Sequence, residues 1–109
     1  MKGKIVLIPF PFTDLSSAKL RPALVLYEGR RDVVVAFISS RVPDKIDLAR
    51  VRIGEDDKEF PLTGLKKKSV IRLDKLATVL KDMIVGEIGI VGEELKKNIN
   101  EKLNSIYSL

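Results

Sequence analysis

Short runs of β-branched and aliphatic residues, each cut off by Gly, Pro, Asp or Ser, constrain this chain more than any other feature. Ile5–Ile8, Ala23–Tyr27, Val33–Ser39, Arg50–Ile53, Ser69–Leu73, Ala77–Leu80 and Met83–Ile88 have the length and composition of strands. Only one stretch has a helical period. From Glu93 to Tyr107, Leu95, Ile99, Leu103 and Ile106 line one face, with Glu93 and Glu94 in the first turn, where the helix dipole favours negative charge. So many strands in 109 residues predict a mainly β fold, a small, strongly curved sheet or partly open barrel capped by the terminal helix. Val33–Ile38 and Ala23–Leu26 do not alternate with polar residues, and a strand apolar on both faces must be covered on both. The barrel core can cover one face, and the helix or a second subunit the other. The length fits one domain over residues 1–109, near the low end for burying its own core, so dimerisation would help it.

Composition narrows the chemistry. The chain has no cysteine and no histidine, which excludes disulfides and thiolate or imidazole metal sites and removes the commonest general acid/base. The net charge of +5 lies in the first half: residues 1–52 hold ten Lys/Arg against five Asp/Glu, whereas residues 53–109 balance. That asymmetry suits an anionic partner, nucleic acid being the usual one. No apolar run approaches the roughly 18 to 20 residues of a membrane span, and MKGKIVLIPF lacks the pattern of a signal peptide, so a cytoplasmic protein that does not engage a membrane is expected. The acidic stretch Gly54–Glu59 is sequential rather than gathered from several elements, and reads as a solvated loop rather than a Mg²⁺ site. Lys66, Lys67 and Lys68 read as solvated surface or the border of an anion groove.

Three groups are candidates for chemistry. In Leu20-Arg21-Pro22 the proline restricts Arg21 to extended geometry at a sheet margin, with Lys19 on the same side. The planar guanidinium fork there suits phosphate oxygens, although a plain surface arginine before a proline would look the same. Ser39 and Ser40 end the third strand before Arg41, where serines are commonly turn formers. In Ser69-Val70-Ile71-Arg72-Leu73-Asp74, alternation turns Arg72 and Asp74 the same way, as a structural ion pair or as two halves of a site.

Taken in order, Lys2-Gly3-Lys4-Ile5-Val6, Arg21-Pro22-Ala23-Leu24-Val25-Leu26, Val33–Ser40, Ser69–Val79 and the terminal amphipathic helix resemble the MazF/PemK family of toxin endoribonucleases, over about residues 2–107. The resemblance implies an SH3-like (CcdB/PemK-type) β-barrel with a C-terminal α-helix, and a homodimer whose groove binds single-stranded RNA. It also implies cleavage at short motifs without metal or other cofactor, and inhibition by a cognate antitoxin. By matching position it assigns catalytic roles to Arg21, Ser39, Arg72 and Asp74. RNA contacts are expected from Lys19, Ser40, Arg41 and Lys75. The chain departs from the family pattern in the loop Thr13–Lys19, in having Ser39 where threonine is common, and in Lys75 where glutamine is common.

The implied reaction is attack of a 2′-OH on the adjacent phosphorus, releasing a 5′-OH and leaving a cyclic phosphate. Arg21 and Arg72 would stabilise the transition-state charge and Ser39 would position the phosphate, with the base left open among Asp74, water and a phosphate oxygen. Phe10 and Phe12 would pack in the core or stack on bases. The competing readings are a non-catalytic nucleic-acid-binding barrel and, because the related CcdB fold acts on gyrase, a protein-targeting toxin.

Overall fold

The computed structural model describes residues 1–10 and 19–109. Six strands form one antiparallel sheet: β1 (Lys4–Phe10), β2 (Lys19–Glu28), β3 (Asp32–Ser39), β4 (Arg50–Ile53), β5 (Ser69–Leu80) and β6 (Gly86–Ile90), in the order β4-β5-β3-β2-β1-β6. The sheet curls into a half-barrel with β4 and β6 at its two edges. A one-turn helix, α1 (Phe60–Thr63), leaves the β4 side and packs on β6, bridging the gap between the edges. That approach needs glycine: Gly64 has φ +71°, and a Cβ there would meet the carbonyl oxygen of Ile88 at 1.9 Å.

The terminal helix α2 (Glu93–Tyr107) begins and ends where the apolar period predicts. Ile99 is buried against Ile5, Leu24, Ala36, Ile38, Val51, Ile53, Ile71 and Leu73, with Leu95, Leu103 and Ile106 packed around it. Truncating Ile99 to alanine removes the centre of this seam, a change that typically costs about 2–5 kcal/mol. The other sheet face has its own core of Val6, Ile8, Ala23, Val25, Val33, Val35 and Val79. Val33 and Val35 are fully buried there, while Met1, Phe37, Ala77 and Ile84 pack half-buried around that core. The unalternating apolar pattern of β3 is thereby explained.

Four local expectations are corrected. β2 starts four residues earlier than the apolar run: Pro22 lies inside the strand, opposite Leu7 on β1 but beyond the last β2–β3 pair, which is Ala23 with Phe37. It therefore occupies a locally edge-like end, where its missing N–H breaks no ladder. The two runs Ser69–Leu73 and Ala77–Leu80 are one long strand, β5, whose register slips between its Arg72 and Leu76 pairings with β3. Met83 closes a 3₁₀ turn rather than opening β6. Finally, the acidic stretch is structural rather than merely solvated. Glu59 caps α2 from 34 positions before its first residue, accepting from the N–H groups of Glu94 at 3.1 Å and Leu95 at 2.9 Å. Gly92 at the cap position has no side chain to do this, and a Cβ there would collide with the Glu59 carboxylate at 2.3 Å.

Candidate active site

The register of four neighbouring strands assembles the candidate residues on one sheet face. Arg21 stands opposite Ile8, and Lys19 opposite Phe10. Both share their side of β2 with buried Ala23 and Val25, so they belong to the face opposite α2. On β3 that face continues through Val33, Val35, Phe37 and Ser39. Phe37 lies opposite Arg72 and Ser39 opposite Val70, while Arg50 of β4 lies opposite Arg72. Ile71 and Leu73 point into the α2 core, which turns Arg72 and Asp74 the other way. Lys19, Arg21, Ser39 and Arg72 thus share a face, and Arg50 joins them.

The two arginines differ in how they are held. Arg72 donates from Nε and Nη2 to the two carboxylate oxygens of Asp74, each at 3.0 Å. Those hydrogen bonds hold the Asp74 carboxyl below its ordinary 3.8 and raise Arg72 further above its own ordinary value. Arg21 is exposed, and its side chain has no hydrogen bond or ion pair among the described residues. Ser39 accepts from the N–H of Arg41 at 3.1 Å, the turn-forming role expected of a strand-end serine, and its hydroxyl proton can still be donated.

The register slip in β5 falls on Leu73, Asp74 and Lys75, which lack a β3 partner. Such irregularities re-aim side chains, and here the slip leaves Asp74 beside Arg72, with exposed Lys75 next along β5. Arg41 lines a concavity of about 240 Å³ with Val42, Pro43, Arg50 and Arg72. Ser40 lies exposed past the end of β3, and no side-chain hydrogen bond joins it to the group among the described residues. Phe10 is 42% exposed, with its ring centroid 5.1 Å from that of Phe37, so it sits between a core residue and a surface platform. Phe12 lies outside the described residues.

Arg50 is the residue that sequence reasoning missed. Its Nη1 donates to Asp47 Oδ2 at 2.5 Å, while Asp47 Oδ1 accepts from the N–H of Ala49 at 2.9 Å, so Asp47 both shapes the turn and aims the arginine. The alternation Arg50-Val51-Arg52-Ile53 already places two arginines on one face. The identity of the neighbouring strand, which brings Arg50 beside Arg72, is not written in it. Among the described residues no three Asp, Glu, His or Cys side chains gather as for a metal ion.

This arrangement can bind phosphate through several guanidinium groups beside a half-exposed aromatic ring. Among the solved structures with the same fold are the Mycobacterium tuberculosis toxin MazF-mt6, with 20% identity, a TM-score of 0.74 and 97% of each chain covered. A second is an endoribonuclease in complex with its cognate antitoxin from a mycobacterial species, with 19% identity, a TM-score of 0.73, and 100% of this chain and 95% of that one covered. Among curated protein sequences, none matches. The sequence profile of the PemK-like, MazF-like toxins of type II toxin–antitoxin systems matches residues 1–107, over all the elements just described. The chain belongs to that PemK-like, MazF-like toxin family.

Proposed function

We propose that this protein is a cytoplasmic endoribonuclease toxin that cuts single-stranded RNA at preferred sequences, without a metal ion, and is held inactive by a cognate antitoxin. The observation that carries this reading is the placement of Arg21, Ser39 and Arg72 on one face of adjacent strands in a chain of this family. Arg72 pairs with Phe37, and Phe37 with Ala23, two residues from Arg21 on the same side of β2, a placement from which two long arginine side chains can lean toward one phosphate.

The 2′-oxygen attacks the adjacent phosphorus, the bond from phosphorus to the 5′-oxygen breaks, and a 2′,3′-cyclic phosphate and a 5′-OH result. Charge builds on the non-bridging oxygens, where Arg21 and Arg72 donate more strongly to the transition state than to the ground state. Ser39 donates its remaining proton to the same phosphate. Both oxygens of Asp74 are taken by Arg72, an arrangement that suits aiming the guanidinium better than accepting the 2′-OH proton. That proton goes to water or a phosphate oxygen, and an arginine or water protonates the leaving 5′-oxygen. Lys19, Arg41, Lys75 and Arg50 supply flanking phosphate contacts, and Ser40 a hydrogen bond at the rim. The unpaired bases and 2′-OH of single strands are accessible to such a face.

A homodimer completes the reading. Tyr27, Leu76, Leu80 and Val85 are 58%, 39%, 57% and 60% exposed and supply apolar surface that a second copy would cover. The test is purified protein in EDTA against a mixed-sequence single-stranded RNA and its DNA counterpart, with end analysis. RNA-only cleavage that leaves cyclic phosphate is expected. Intact RNA with a folded, antitoxin-free protein would overturn the reading.

A further inference from the structure

The last turns of α2 reach the arginine face from behind the sheet. Lys102 Nζ donates to the carbonyl of Arg50 at 2.6 Å and to that of Asp47 at 3.4 Å. Tyr107 donates its hydroxyl proton to the carbonyl of Leu73, the residue between Arg72 and Asp74. The N–H of Leu73 in turn donates to the carbonyl of Ala49 at 2.8 Å, joining the two anchored segments. Both arginine–aspartate pairs, Arg50 with Asp47 and Arg72 with Asp74, therefore have backbones that are tied to one helix.

Docking of α2 does not require these polar bonds, because Leu95, Ile99, Leu103 and Ile106 already seat it. Nor is Lys102 engaged in an ion pair among the described residues; its ammonium is directed at carbonyls. The need lies in β4, a four-residue edge strand paired only with β5, whose outward carbonyls have no strand neighbour. Lys102 stands in for that neighbour. Tyr107 does the same for Leu73, whose N–H donates toward the β4 side to Ala49, because the N–H of Ala49 that would face the Leu73 carbonyl is given to Asp47 instead.

We propose that Lys102 and Tyr107 are positioning residues of the site, with Lys102 setting Arg50 and Tyr107 setting Arg72. The inference rests on the RNA-cleaving function proposed above. The test is single-turnover cleavage of single-stranded RNA by Lys102→Met and Tyr107→Phe, each alone and combined with Arg50→Gln or Arg72→Gln. Displacing a catalytic group by a fraction of an ångström to 1 Å costs up to about a hundredfold, so a loss of roughly three- to thirtyfold in kcat/KM is expected from Tyr107→Phe, whereas Lys102→Met, which displaces a flanking phosphate contact, costs no more than the few-fold of Arg50→Gln. Lys102→Met adds nothing once Arg50 is Gln, Tyr107→Phe adds nothing once Arg72 is Gln, and Lys102→Gln, which keeps a donor, recovers most of the loss. Losses that simply add would overturn the proposal, as would unchanged kcat/KM in both single variants. The ¹⁵N-resolved Nε–H signals of the arginines give a readout independent of turnover. Lys102→Met shifts or broadens that of Arg50, and Tyr107→Phe that of Arg72, with the remaining arginines unmoved. If the unsubstituted protein leaves RNA intact, the cleavage reading fails while these spectra still decide the brace; unmoved signals would sink it.

Discussion

Arg21 and Arg72 lie on the same face of one sheet, yet among the described residues the side chain of Arg21 has no hydrogen-bond or ion-pair partner and that of Arg72 is clamped. Arg72 gives two donors to Asp74 and projects from a strand braced by Tyr107, whereas Arg21 sits on the part of β2 that, among the described residues, pairs with β1 and not with β3. A clamped guanidinium loses little entropy on binding and presents its remaining donor edge in a fixed direction, which favours preorganised charge stabilisation. A free one can follow the phosphate as its geometry changes between ground and transition state. Under the proposed function, the difference would divide the work between Arg72, a fixed anchor held by Asp74, and Arg21, a donor that no described residue holds.

Substitutions can break that division, and their expected effects form a descending order. Arg21→Ala lowers kcat at least about a hundredfold with KM changed little, as removal of a transition-state donor does. Asp74→Asn leaves Arg72 charged but unclamped and lowers kcat by about tenfold, far less than loss of an arginine; equal losses would make Asp74 the base rather than a clamp. Arg50→Gln acts mainly on affinity. It raises KM a few-fold and reduces the slope of log affinity against log salt by about one phosphate's worth, close to 0.7 for a single strand.

The pH dependence sharpens the same contrast. Arg72 depresses the Asp74 carboxyl below 3.8, so the pair's contribution is present above that value and lost only as the pH falls through the lowered one. The pH–rate profiles of the unsubstituted protein and Asp74→Asn therefore have the same shape above about pH 5. Glu28 behaves alike away from the site. Its hydrogen bonds to Lys81 and the Met1 amine lower it from 4.5 to about 2, so acid unfolding gains a step between those values that Glu28→Gln removes. The smallest effect is expected at Glu59. Glu59→Ala uncaps α2 and lowers stability by about 1 kcal/mol, read as a lower midpoint in urea with an unchanged slope.

Elements with one periodicity were legible in the sequence, and those that depend on a partner strand were not. The α2 period of Leu95, Ile99, Leu103 and Ile106 gave the helix to the residue, and Arg50–Ile53 alternates cleanly enough to mark β4. Pro22 hid the first four residues of β2, because the rule that excludes proline from strands is suspended where one neighbour is missing. The slip at Leu73–Lys75 looked like a strand end because it interrupts the alternation. Arg21, Ser39, Arg72 and Asp74 were nameable through family resemblance, while Arg50 and Lys102 enter the site through pairings that no local pattern encodes.

The most direct test of the account is single-turnover cleavage of one single-stranded RNA by the unsubstituted protein, Arg21→Ala and Arg21→Lys, with the cut ends identified. A kcat loss of at least about a hundredfold in Arg21→Ala, smaller in Arg21→Lys, with the cyclic-phosphate end retained, is the predicted result. Near-normal turnover by Arg21→Ala would contradict it and leave the clamped arginine to carry the chemistry alone.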